Sequence, residues 1–162
     1  MKKTAYLGLF LALALVCSYI ESCIPFHFGI PGVKLGLTNI VVILMLYYME
    51  EKSAFIVSFT RILLAGFLFG NLFSIIYSLA GGLLSFICMV LLKKTGKFKI
   101  ISISAAGGAA HNLGQIFAAV FIVENINLFY YYPILLLAGV ITGMIIGIAA
   151  QEVLLRLPIG KL

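Results

Sequence analysis

The sequence predicts an all-α fold, a six-transmembrane-helix bundle forming a single domain over 1–162, and three observations predict it. The chain is 64% hydrophobic and only 10% charged, with a mean hydropathy of +1.22. Soluble domains run about half apolar and about a quarter charged, so one soluble core cannot hide these side chains. The apolar runs are also long and continuous, on the scale of the roughly 18 or more residues that match the hydrocarbon thickness. Backbone groups in lipid must be satisfied internally, and continuous runs select helices over the alternating strands of a barrel. Finally, the basic residues stand at the ends of the apolar runs, so the net charge of +6 reports topology and implies no nucleic-acid partner.

The spans fall at about 4–24, 35–49, 53–69, 72–92, 100–123 and 128–155. The opening Met1-Lys2-Lys3 before an apolar stretch resembles a signal peptide, but no small-residue cleavage site ends it, and it is read as a retained first helix. Lys2, Lys3, Lys52, Lys93, Lys94, Lys97, Lys99, Arg156 and Lys161 all fall on one side of six spans. The positive-inside rule then places both termini in the cytoplasm and the connection Ser22–Lys34 outside.

Residues Pro31 to Asn39 put a lone cation between two glycines just ahead of the second span. Lys34 and Asn39 at a helix start, with its unpaired N–H groups and positive dipole end, favour a bound anion or a partner's carbonyl; the plainer alternative is a lysine reaching for the membrane surface. Arg61 lies halfway along the third span, where a guanidinium costs at least about 2.5 kcal/mol unless it faces protein or water. It is read as the counter-charge of an anionic ligand, as a partner of Glu21 or Glu50, or as a donor to helix-end carbonyls. Glu21, at the outer end of span one, is expected to be solvated or paired with Lys34.

In the fifth span Gly108, His111, Asn112 and Gln115 share a face beside a ladder of Ala106, Ala110, Gly114 and Ala118. This is the strongest polar cluster in the membrane, suited either to holding a ligand or to bonding neighbouring helices. Small residues mark three further faces: Ala5, Gly8 and Ala12 in span one; Ser74, Ser78, Gly81 or Gly82, and Ser85 in span four; Gly139, Gly143 and Gly147 in span six. Each permits close helix approach, and for span one the neighbour is either another span or a separate subunit. Phe129, Tyr130, Tyr131 and Tyr132 form an interfacial aromatic group and, with Glu124 and Asn125, a candidate pocket wall.

Catalysis is not expected. The chain has no Walker loop, nucleophile elbow or zinc motif, and no Asp at all, so the aspartate-rich magnesium motifs of prenyl synthases have no counterpart. Cys17, Cys23 and Cys88 show no metal spacing, and His27 is the only other histidine beside His111. No metal and no cofactor are predicted.

Three segments carry a resemblance to a known family: Pro31-Gly32-Val33-Lys34-Leu35-Gly36-Leu37-Thr38-Asn39; Arg61 followed by Gly66 and Gly70; and Gly107-Gly108 through His111-Asn112 to Gln115. On these the chain resembles the small membrane proteins labelled heptaprenyl diphosphate synthase component I, also called Gx transporter proteins. That family looks like the substrate-binding S components of energy-coupling factor (ECF) transporters of the bacterial cell membrane. The resemblance implies a pocket near the outer face and a first helix that docks on a coupling subunit driven by two ATPases. It assigns Ala5, Gly8 and Ala12 to docking, although the usual Ala-x-x-x-Ala spacing is met only approximately, by Gly8 and Ala12. The function implied is capture of a small anionic or aromatic micronutrient by Lys34, Asn39, Arg61, His111, Asn112 and Gln115. The alternative is a non-catalytic membrane subunit that binds a prenyl lipid or quinone.

Overall fold

The computed structural model describes residues 2–23 and 36–157, and every regular element among them is helical. Lys34 and the rest of the segment before Gly36 lie outside the described residues. The helices are α1 Lys2–Cys23, α2 Leu37–Tyr48, α3 Glu51–Phe69, α4 Leu72–Thr95, α5 Ile100–Val123 and α6 Tyr132–Arg156, with a 3₁₀ segment Ile126–Tyr131 ahead of α6.

Local chemistry sets the boundaries. Asn71 caps α4 by accepting the Ser74 N–H at 2.9 Å, and Gly96 ends it with φ 65°, a left-handed turn that glycine adopts without strain. Asn125 accepts the Asn127 N–H and starts the 3₁₀ segment, whose six residues occupy the first part of the expected sixth span. Pro133 then sits in the first turn of α6, where a missing N–H costs nothing.

Among the described residues five helical stretches are long and apolar enough to cross a membrane, and α2 is the exception. The sequence predicts a span over 35–49, but α2 has 12 residues, about 18 Å at 1.5 Å per residue, against a hydrocarbon core of about 30 Å. It nevertheless joins the two ends of α1. The Gly36 N–H at its start donates to Glu21 near the end of α1, and Glu50 just past its end pairs with Lys3. Protein, not lipid, surrounds it: Val41, Val42, Ile43, Leu44, Met45 and Leu46 are all buried, which an amphipathic surface helix would not allow.

The core cluster closes around this helix with Ala14 of α1, Ala54 and Val57 of α3, Phe86 and Met89 of α4, Ile103 of α5, and Ile146 and Ala150 of α6. Helix α2 packs directly against α1, α3 and α6, and α5 packs most extensively against α4 and α6. The glycines of span six explain that seam. A Cβ on Gly139 would stand 2.6 Å from the Gly108 carbonyl oxygen, and one on Gly143 would stand 2.6 Å from the Ser104 oxygen. Ser104 Oγ also donates to the Gly143 carbonyl at 2.5 Å. On the neighbouring face of α5, a Cβ on Gly114 would stand 2.5 Å from the Ala80 oxygen, so the adjoining small-residue ladder seats α4.

Span one behaves differently from this seam. Ala5, Gly8 and Ala12 are exposed, and a Cβ on Gly8 would meet nothing within 4 Å. No helix among the described residues is therefore the neighbour of that face; α1 instead packs inward through Leu7, Phe10, Leu11, Ala14 and Cys17.

Candidate functional site: a polar cavity at one end of the bundle

Helix direction brings the polar residues together. The end of α1, the start of α2, the second half of α3 and the start of α4 meet at the same end of the bundle, beside the middles of α5 and α6. Between them is a cavity of about 180 Å³, room for several water-sized groups. Most of the residues that line it are polar: Ser18, Glu21 and Ser22 from α1; Thr38 and Asn39 from α2; Arg61 from α3; Ser74 and Ser78 from α4; His111 and Asn112 from α5; Thr142 from α6. Gly36, Gly66, Gly70 and Gly108 add open backbone, and Ile62, Ala65 and Phe69 supply the apolar part.

The start of α2 is fixed by α1. Gly36 takes φ 67°, a left-handed conformation that strains any residue with a Cβ, and so aims its N–H at Glu21 Oε1, 2.5 Å away. The Thr38 hydroxyl donates to Glu21 Oε2 at 3.3 Å, and it lies 3.5 Å from Ser18 Oγ. Glu21 thus sits on the positive end of α2, which stabilises a carboxylate. Its partners among the described residues are the Gly36 N–H and the Thr38 hydroxyl; the expected partner Lys34 lies outside the described residues.

Arg61 faces this arrangement from α3. Of the readings open to it, pairing with Glu50 is ruled out, because Glu50 lies at the opposite end of the bundle, 2.7 Å from Lys3 Nζ. The ion pairs among the described residues are Lys3–Glu50, Lys94–Glu51 and Arg156–Glu152, and none includes Arg61. Its Nε is buried with no hydrogen-bond partner among the described residues. A buried guanidinium nitrogen left in this way loses its hydration without a replacement.

The α5 cluster divides. His111 and Asn112 reach the cavity, but Asn112 Nδ2 donates to the Leu135 carbonyl of α6 at 2.6 Å, so one side of that amide is structural and its oxygen is the group left over. Gln115 is buried but does not line the cavity; its side chain packs where a Cβ on Gly81 of α4 would stand, 2.9 Å from Gln115 Cγ. Thr142 turns its hydroxyl hydrogen to its own helix, at the Ala138 and Gly139 carbonyls. The predicted residues Asn39, Arg61, His111 and Asn112 are therefore brought together, Gln115 is not, and Lys34 lies outside the described residues. The aromatic group before α6 lines a separate shallow surface site of Ile126, Asn127, Phe129 and Tyr130. Sequence reading missed the cavity roles of Glu21, Ser18 and Thr38. The available signal was that Ser18 and Glu21 are one turn apart on α1 and that Thr38 adjoins Asn39.

The opposite end of the bundle is basic. Lys94 pairs with Glu51 at 3.2 Å, Lys93 donates to the Leu46 carbonyl and stands 5.3 Å from the Tyr47 ring centroid, and Lys52, Lys97 and Lys99 are exposed. No group of three or more metal-ligating side chains occurs among the described residues.

Fold and site together define a multi-pass helical membrane protein with a polar cavity at the end of the bundle opposite Lys52, Lys93, Lys94, Lys97 and Lys99. The sequence profile described as heptaprenyl diphosphate synthase component I matches residues 10–153, and the chain belongs to that family. No curated protein and no solved structure matches it.

Proposed function

We propose that this chain is the substrate-binding membrane subunit of an ECF-type uptake transporter. It captures a small micronutrient in the cavity from the outer face of a bacterial plasma membrane and passes it to a coupling subunit and two ATPases, with no catalytic step of its own. The observation that carries this reading is the placement of the polar cavity at the end of the bundle opposite the lysine-rich end. Positive residues mark the cytoplasmic side, so a cavity at the other end collects solute from outside. The lining supports a compact polar ligand held by a few hydrogen bonds and one cation, which suits a nutrient better than a long hydrocarbon chain. The outward small-residue face of α1 supports a helix–helix contact with another subunit through Ala5, Gly8 and Ala12.

A second reading follows from the family's description as a synthase component: a non-catalytic membrane subunit that holds a prenyl lipid or quinone for another component. Affinity purification of the full chain from native membranes separates the two. Recovery of a membrane coupling protein with two ATPases is the expected result, and recovery of a soluble prenyl synthase without ATPases would replace the first reading by the second.

A further inference from the structure

The described lining of the cavity holds one full charge of each sign. Arg61 and Glu21 both line it, yet they stand too far apart to form an ion pair with each other. Among the described residues Glu21 uses each carboxylate oxygen once, toward the Gly36 N–H and the Thr38 hydroxyl. A carboxylate oxygen has two lone-pair positions, so both oxygens keep accepting capacity on the cavity side. Arg61 is a fork of five donors whose buried Nε meets no acceptor among the described residues. The buried Nε of Arg61 is the costly group, and Glu21, though hydrogen-bonded, faces the same cavity with accepting capacity left, so a ligand that meets Arg61 meets the Glu21 charge as well.

Charge balance selects among ligands. The described lining sums to zero, with Arg61 and Glu21 cancelling and His111 counted neutral. A simple anion would satisfy Arg61 but lie beside Glu21 and leave a net negative charge in a low-dielectric site, and a simple cation would do the converse. A ligand with one group of each sign satisfies both and adds no net charge. The guanidinium further favours a planar two-oxygen acceptor, because its paired N–H groups match a carboxylate or phosphate in bidentate geometry. We infer that the ligand is a small zwitterion, its acidic group on Arg61 and its cationic group on Glu21. This rests on the reading of the cavity as a ligand site, and it narrows the ligand from anionic or aromatic to doubly charged.

The sign of one substitution decides it. The full chain is extracted gently from cells, its bound small molecule is identified by mass spectrometry, and that molecule is titrated calorimetrically against wild type, Glu21→Gln and Arg61→Gln. The identified molecule should carry both an acidic and a basic group, and both variants should bind it at least about tenfold more weakly. The amide introduced by Glu21→Gln retains a carbonyl oxygen for the Gly36 N–H, which preserves the start of α2. Tighter or unchanged binding by Glu21→Gln, or a ligand without a cationic group, overturns the inference while the cavity stays a ligand site. A prenyl lipid or quinone overturns both. If Glu21→Gln fails to fold, the N-acylated form of the identified ligand is titrated against wild type instead; a loss of about tenfold is expected, and equal affinity overturns the inference. Protein that emerges empty, and that neither the standard amino acids nor glycine betaine stabilises against heat, overturns it as well.

Discussion

Arg61 illustrates how a single side chain carries the cavity's chemistry. Its Nε is buried without a partner among the described residues, and a hydrogen bond from a charged group to a ligand is worth about 1.5 to 3 kcal/mol, so Arg61→Gln should weaken ligand binding roughly tenfold to a hundredfold while the helices still form. Calorimetric titration reads this directly, and unchanged affinity would remove Arg61 from the site. Asn112 has the opposite balance, because its amide hydrogen is spent on the Leu135 carbonyl across the α5–α6 seam. Asn112→Ala should lower stability by about 1 to 3 kcal/mol, seen as a lower melting temperature without ligand. At the other end, Lys3 holds the Glu50 carboxyl below its usual range, chiefly through their hydrogen bond. A depressed folded-state pKa gives stability that is present above the unfolded value of about 4.3 and is lost as pH falls through the folded value. The pair is exposed, so the effect is small. Melting curves taken from about pH 6 down to about pH 3 should show wild type losing more stability than Glu50→Gln. The sequence made Arg61, Asn39, His111 and Asn112 legible, since an ionisable or amide group in an apolar run stands out. It could not show that Gln115 turns toward α4, because residues three and four apart share a face only approximately and a small rotation moves the outer member to a neighbouring helix.

At the scale of elements, two stripes of small residues look alike in sequence and behave differently in the fold. Gly139, Gly143 and Gly147 seat the backbone of α5, whereas Ala5, Gly8 and Ala12 face outward. Spacing alone shows that a helix can be approached closely, and only the packing of the remaining helices shows whether this chain supplies the approach. The contrast gives a paired prediction. Gly139→Ala should force the seam apart, with a cost of about 1 to 3 kcal/mol or more and a clear fall in melting temperature. Gly8→Leu should leave the melting temperature unchanged and reduce co-purification with a coupling subunit; a loss of stability in the isolated protein would instead show that the face is not free. Helix α2 teaches a related lesson. Its apolar run was legible, but the helix begins only after Gly36, and 12 residues are sufficient because protein surrounds them. Hydropathy measures apolarity and cannot distinguish enclosure by protein from enclosure by lipid.

For the whole molecule, charge and polarity are divided between the two ends: ion-paired and exposed lysines at one, the cavity at the other. Composition and run length made the helical bundle legible because both are global quantities. The cavity was not, since it depends on the start of α2 being tied back to Glu21, a contact across 15 positions that no periodicity encodes. The division of charge predicts orientation. In a background lacking the native cysteines, Asn127→Cys should react with an impermeant thiol reagent in intact cells and Gly96→Cys should not; the reverse pattern would place the cavity inside. The account turns on whether that cavity holds a small polar solute. Native mass spectrometry of the gently extracted full chain, beside Arg61→Gln, tests this most directly. The predicted spectrum shows wild type carrying one small polar molecule that the variant lacks, and a bare chain in both, or a prenyl lipid retained in both, would contradict it.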